Sequence, residues 1–191
     1  MKIGCVVMAA GNAVRFGENK LAALYEGKPL IRHALESVPK ELETVVVTQY
    51  AEVEALAAEF GFACLKNTHP DWGISHTIRL GTEYLSHCDG ILYLVSDQPL
   101  LQKDSVQRVV EAWKAQPHRI VGAAHDGKRG NPNLFPKAFY PELMELKEDH
   151  GGNTVIRRHL EALALVEIPQ AQLTDVDTPA ALQELPHHKD R

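Results

Sequence analysis

Two cations, Arg15 and Lys20, follow a turn of small residues, Ala9-Ala10-Gly11, and a carboxylate, Asp97, stands just beyond an apolar run later in the chain. Small residues leave main-chain N–H groups open to an anion, which a guanidinium and an ammonium neutralise. A carboxylate at the end of a buried strand suits Mg²⁺, which prefers one or two carboxylates supplemented by water and substrate phosphate oxygens. Together they predict a triphosphate site. Two blander readings compete: an ordinary turn with solvated basic residues, and an Asp97 that merely starts a turn ahead of Pro99.

Two familiar phosphate loops are excluded. A P-loop requires G-x-x-x-x-G-K-[ST], whereas here Gly11 and Gly17 are six apart and Leu21 follows Lys20. The dinucleotide fingerprint G-x-G-x-x-G is absent, and no acidic residue closes a neighbouring strand as a ribose clamp requires.

The elements that must position these groups follow from hydrophobic pattern. The run with Ile3, Val6 and Val7 ahead of the Ala9-Ala10-Gly11 turn and Gly90 to Val95 are apolar runs of buried parallel strands, and Thr44 to Thr48, Phe62 to Leu65, Ile120 to Ala124 and Leu163 to Ile168 add further ones. Leu21 to Tyr25 reads as a short extended segment. Helical spacing is predicted after Pro29, from Ala51 to Phe60, after Ser75, from Asp104 through Trp113, from Pro136 to Leu146 and after Asn153, with Ser75, Asp104 and either Asn153 or Thr154 as the expected caps. Asp126-Gly127 predicts a hairpin turn. Strands alternating with helices through short links predict a three-layer α/β/α sandwich with a mostly parallel sheet, in which ligands gather at the carboxyl ends of the strands.

These motifs, in order, resemble the small nucleotidyltransferases that share the nucleotide-diphospho-sugar transferase fold, in particular the group that attaches a nucleotide to the molybdenum cofactor. The resemblance rests on A-A-G-x-x-x-R-[FM]-G-x-x-K at the first turn; on Asn67, Gly73, Ile74, Ser75, Ile78, Arg79 and Gly81; on D-Q-P-L from Asp97; on Gly127, Gly130, Asn131, Pro132, Leu134 and Phe135; and on Asp-Val-Asp-Thr-Pro from Asp175. Such cytidylyltransferases carry Ala-Ala-Gly at the turn and guanylyltransferases Ala-Gly-Gly, so the resemblance implies transfer of CMP from CTP to the phosphate of the molybdenum-pterin cofactor, with release of pyrophosphate. It further implies Arg15, Lys20 and Asp97 as catalytic residues; Ala9, Ala10, Gly11, Asn12, Asn67 and Ser75 as further nucleotide contacts; Mg²⁺ on Asp97 and Asp177, with Asp175 the rival second ligand; and Gly130, Asn131 and Pro132 facing the pterin. Lys128 and Arg129 either meet the acceptor phosphate or are simply solvated. The chain departs from the pattern at Asn12-Ala13-Val14, where a Ser usually precedes the Arg, and at Glu148 and Asn153, which replace a Gly and an Arg on the pterin side; Arg157, Arg158 and His159 stand nearby as replacements. GTP as donor, another small phosphorylated acceptor, and a non-catalytic nucleotide- or cofactor-binding protein are the alternatives. A recipient molybdenum enzyme is a further partner on this reading.

Composition sets outer bounds. The 191 residues fit one domain over residues 1–186 with a polar tail at 187–191, and the formal net charge of −5 leaves no basic footprint for nucleic acid or an anionic membrane. Cys5, Cys64 and Cys88 are odd in number and lack a C-x-x-C pair, which predicts free thiols. With no run near 18 apolar residues, the sequence predicts a cytoplasmic protein.

Overall fold

The computed structural model describes residues 1–12, 16 and 19–186. The 187–191 tail therefore lies outside the described residues. The chain begins with β1 (Ile3–Ala9), whose residues are almost all buried because the strand is flanked on both edges and covered on both faces. A tight hairpin of β2 (Leu24–Tyr25) and β3 (Lys28–Pro29) precedes α1 (Leu30–Glu36), and a 3-10 turn at Lys20–Ala22 occupies part of the stretch expected to be extended. Then come β4 (Glu43–Thr48), α2 (Ala51–Glu59), β5 (Ala63–Lys66), α3 (Ile74–Tyr84), β6 (Gly90–Val95) and α4 (Lys103–Ala115). The second half adds β7 (Ile120–His125), β8 (Lys128–Pro136), α5 (Tyr140–Met144), α6 (Gly152–Arg158), β9 (Leu163–Glu167) and α7 (Pro179–Gln183).

Seven strands form one sheet in the order β5-β4-β1-β6-β8-β7-β9. Every neighbouring pair is parallel except those of β8, which runs antiparallel to both β6 and β7. The reversal is local in origin: Asp126 and Gly127 both take positive φ, 49° and 72°, the pairing a type I′ hairpin turn requires. From β1 the chain passes outward to β4 and β5, then returns to the other side of β1 to lay down β6. A parallel sheet opens a crevice at such a switch point, between the carboxyl ends of the two strands. The turn after Ala9 and the segment after Val95 both emerge there.

Alternation along β1 divides the core. Ile3, Cys5, Val7 and Ala9 pack with Ile31, Val53, Val106, Val109 and Trp113 on the face covered by α1, α2 and α4. Val6 points the other way, against Ile78 of α3 and Leu85 just beyond it, with Leu143, Val155 and Ile156 of α5 and α6 in the same layer. The architecture is thus the expected α/β/α sandwich. Cys5 and Cys88 are buried free thiols, Cys64 is a half-buried one, and burial pushes the Cys5 thiol up to about 12. Among the described residues no helix is long and apolar enough to cross a membrane.

The expected helix caps are corrected in three places. Gly73, not Ser75, precedes α3; Gln102, not Asp104, precedes α4; and Gly151, not Asn153 or Thr154, precedes α6. None of the three helices has a side-chain cap bond. For α3 the reason is tertiary: the Ser75 N–H donates to the carbonyl of Glu148, 3.1 Å away, so the helix start is satisfied by a loop 73 residues downstream in sequence. Glu148 itself sits at φ 52°, the left-handed region that favours glycine. Relief of that strain outweighs the chain entropy a glycine adds, so Glu148→Gly should raise stability by about 0.5–1 kcal/mol, read as a higher urea midpoint at unchanged m-value.

Candidate functional site

The turn after β1 is aimed by the segment after β4. Thr48 Oγ1 donates to the Ala9 carbonyl at 2.8 Å, Gln49 Nε2 to the Ala10 carbonyl at 3.0 Å and the Tyr50 hydroxyl to the Gly11 carbonyl at 2.9 Å. Gln49 Nε2 also donates to Asn12 Oδ1 at 2.9 Å. Three successive carbonyls are therefore turned toward residues 48–50. In a trans peptide the N–H opposes the preceding C=O, so the Gly11 and Asn12 N–H groups point away from Gln49 and Tyr50, and neither makes a hydrogen bond among the described residues. Nothing in the local sequence pattern announces Thr48, Gln49 or Tyr50; they act across 39 residues. Gln49→Ala should free the turn and weaken anion binding beside it about 5- to 30-fold, equivalent to roughly 1–2 kcal/mol for losing this donor, read in a titration with a nucleoside triphosphate.

A cavity of about 470 Å³ opens beside this turn, lined among others by Ala10, Gly11, Asn12, Lys20, Thr77 and Asp97. Its size falls within the range of small-molecule sites. Lys20 is placed by Asn19, whose side chain accepts from the Leu21 N–H at 3.1 Å and so caps the 3-10 turn that carries it. Ser96 Oγ donates to the Met8 carbonyl at 2.8 Å and ties the end of β6 to that of β1. The Val176 N–H donates to the Asp97 carbonyl at 2.8 Å and brings the distant Asp-Val-Asp segment alongside.

Three of the expected charged residues thereby meet. Lys20 Nζ lies 2.8 Å from Asp97 Oδ2 and 3.2 Å from Asp177 Oδ1. Lys20 and Asp97 are mostly enclosed, with side chains 18% and 22% exposed, whereas Asp177 is 56% exposed and its contact with Lys20 is the weaker one. Burial pulls the Lys20 pKa down, but the charge and hydrogen bond of Asp97, then those of Asp177, outweigh it and leave the pKa above its ordinary 10.5. Raised in the fold, it contributes stability that is complete below 10.5 and is lost only as pH climbs through the folded value, so Lys20 stays charged throughout the neutral range. Asp175 is engaged differently: Gln98 Nε2 donates to its Oδ1 at 2.8 Å. Loss of water around its carboxyl and then the Asp97 charge raise its pKa, against the pull of the Gln98 bond.

Other expected residues stand elsewhere. Ala9 is the last residue of β1 and fully covered. Ser75 is completely buried, with its hydroxyl 3.4 Å from the Trp72 carbonyl, and does not line the cavity; Thr77 does. Asn67 is likewise buried and holds Thr77 from behind, Nδ2 to Oγ1 at 3.2 Å. Arg15 lies outside the described residues. Of the residues expected to face an acceptor, Gly130 and Asn131 line a 280 Å³ cavity together with Lys128 and Arg129, Asn131 also lines a second cavity of about 340 Å³, and Pro132 is buried beyond a cis peptide bond.

Two clusters of metal-capable side chains among the described residues lie away from this crevice. Glu43, His87 and Cys88 gather at the opposite end of the strands, where Lys2 already holds Glu43 at 2.6 Å; His125, Asp126 and Glu167 gather at the hairpin turn, where Glu167 accepts from the Asp126 and Gly127 N–H groups.

The sequence model of the MobA-like NTP transferase domain matches residues 5–163, a span that takes in the first turn, Lys20 and Asp97. The chain belongs to this family. As an NTP transferase domain it is similar to the purine catabolism protein PucB of Bacillus subtilis (strain 168), 28% identical over 189 residues that cover 91% of each chain. It is equally similar to the molybdenum cofactor guanylyltransferase of Shewanella sp. (strain MR-4), 28% identical over 190 residues, which are 97% of this chain and 95% of the relative. In fold, the domain is similar to Rv0371c from Mycobacterium tuberculosis H37Rv, at TM-score 0.81 and 18% identity over 97% of each chain, a protein also solved in complex with manganese. It is similar too to CMP:2-keto-3-deoxy-manno-octonic acid synthetase complexed with CTP, at TM-score 0.76 and 15% identity over 96% of each chain.

Proposed function

We propose that this NTP transferase domain moves a nucleotidyl group from a nucleoside triphosphate to the phosphate of a molybdenum-bearing pterin, with release of pyrophosphate. The observation that carries the reading is the meeting of the Gly11–Asn12 turn, Lys20 and Asp97 around one cavity at the switch point of the sheet. An acceptor phosphate is already a nucleophile at neutral pH, so its oxygen attacks the α-phosphorus without a general base and the α–β phosphoanhydride bond breaks. The chain's part is positioning and charge stabilisation. Loop N–H groups hold the triphosphate, and Lys20 neutralises charge building on the α-phosphate and leaving pyrophosphate. Arg15 shares that role by its place in the sequence pattern alone.

The donor set fits a hard divalent cation. Asp97 and Asp177 direct oxygens at a single point, which the Lys20 ammonium now takes, and both are carboxylates of the kind Mg²⁺ prefers. Asp175 is turned to Gln98, which supports Asp177 over it as the second ligand. A Mg²⁺ held by Asp97 and Asp177 would add to the neutralisation of the triphosphate.

Two nucleotides have support of different kinds. The molybdenum cofactor guanylyltransferases among the relatives favour GTP, whereas the CTP-bound synthetase shares only the fold. The Ala9-Ala10-Gly11 turn favours CTP. Incubation with both triphosphates, Mg²⁺ and molybdenum-loaded molybdopterin, followed by the mass of the dinucleotide formed, decides between them. A product containing neither base would defeat both.

A further inference from the structure

We infer that His125, Asp126 and Glu167 form a second metal site, which takes Zn²⁺ and staples the edge strand β9 to the turn of the β7–β8 hairpin. His125 ends β7, Asp126 follows it in the turn, and Glu167 ends β9, the strand at one edge of the sheet. One ligand atom from each of the three lies within 4.8 Å of the other two. His125 Nε2 stands 3.6 Å from Asp126 Oδ2, close to the roughly 3.3 Å between neighbouring ligands of a tetrahedral ion with bonds of about 2.0 Å. An imidazole beside two carboxylates suits Zn²⁺, whereas Mg²⁺ is held through oxygen.

Two of these side chains are aimed by the main chain around them. His125 Nδ1 lies 3.0 Å from the Ile168 carbonyl, which can only accept. The proton therefore sits on Nδ1, and the neutral ring presents its Nε2 lone pair toward Asp126, the arrangement that ordinarily orients a metal-bound imidazole. Glu167 Oε2 accepts from the Asp126 N–H at 2.9 Å and Oε1 from the Gly127 N–H at 3.3 Å. Each oxygen keeps a lone pair after one such bond. Among the described residues neither carboxylate pairs with a lysine or arginine; Arg108 gives its Nη2 to the Glu167 main-chain carbonyl at 2.6 Å. The Glu43-His87-Cys88 cluster lacks this readiness. Lys2 already neutralises Glu43 at 2.6 Å, and burial holds the Cys88 thiol above its ordinary range, away from the thiolate a metal needs. With the Asp126 side chain 87% exposed, water completes the coordination at the hairpin. His125 also lines the 280 Å³ cavity with Arg129 and Gly130, so an ion here steadies that wall.

The test is calorimetric titration of the chelator-treated full chain with Zn²⁺, in an Asp97→Asn background that removes the main carboxylate of the crevice. One equivalent binds in that background and raises the thermal unfolding midpoint. Adding His125→Ala weakens binding about 100-fold, the upper end of what loss of even an outer partner costs a metal site, and abolishes the rise. Adding Asp126→Asn weakens it at least about 10-fold; Asn tolerates the positive φ of the turn, so this variant decides the matter should His125→Ala fail to fold. Adding His87→Ala leaves binding unchanged. Absence of binding in the Asp97→Asn chain, binding undiminished by Asp126→Asn or by folded His125→Ala, or binding lost with His87→Ala overturns the assignment.

Discussion

Asp97→Asn should lower kcat/KM by about 10²–10³, the loss expected when one preorganised electrostatic group is removed, equivalent to roughly 2.7–4 kcal/mol of transition-state stabilisation. The substitution keeps the shape of the side chain and removes its charge. The fold should survive it, because the contact that docks the Asp-Val-Asp segment is made by the Asp97 main-chain carbonyl with the Val176 N–H, and Lys20 retains Asp177. The effect should fall mainly on kcat, since the substitution leaves untouched the Gly11–Asn12 turn proposed to hold the triphosphate. Steady-state kinetics over both substrates measures this. A variant with near-full turnover would remove Asp97 from the mechanism.

Gly73→Ala should be the most damaging substitution outside the charged residues. Gly73 adopts φ 78° and ψ −177°, a conformation essentially confined to glycine, and a Cβ there would stand 2.4 Å from both the carbonyl carbon and oxygen of Glu148 and 2.6 Å from Asp149 Oδ1. Backbone strain and overpacking each cost about 1–3 kcal/mol, so destabilisation of about 2–5 kcal/mol is expected in urea unfolding. The contact joins the loop before α3 to the loop before α6, and Asp149 lines both cavities. Pushing the loops apart should therefore also raise KM for both substrates. A variant with wild-type stability and wild-type constants would show that the two loops need not meet.

The contrast between these two residues marks what was legible in the sequence. Asp97 could be read because a parallel strand buried on both faces leaves a continuous apolar run, Gly90 to Val95, and the first polar residues beyond it must lie at the ligand-binding edge. The Asp126-Gly127 turn was legible for a comparable reason, since its backbone geometry is encoded in two adjacent residues. The start of α3 was not. Ser75 has the chemistry of a cap, but the Glu148 carbonyl takes its N–H and the cap falls two residues earlier, at Gly73, a choice made by chain 73 residues away. Thr48, Gln49 and Tyr50 were missed on the same ground, as side chains that act on the carbonyls of another strand's loop. Nucleotide-contact residues inferred from the motif divide likewise: Gly11, Asn12 and Lys20 line the cavity, while Asn67 and Ser75 support its wall. The choice of base resists reading because the motif difference is one methyl group at residue 10.

The most direct measurement is pyrophosphate release from GTP and from CTP, with Mg²⁺, in the presence and absence of molybdenum-loaded molybdopterin. Release from one of the two triphosphates that depends on the pterin, and that Asp97→Asn lowers at least 100-fold, is the predicted result. No release from either triphosphate by folded protein that still binds both substrates would contradict the account.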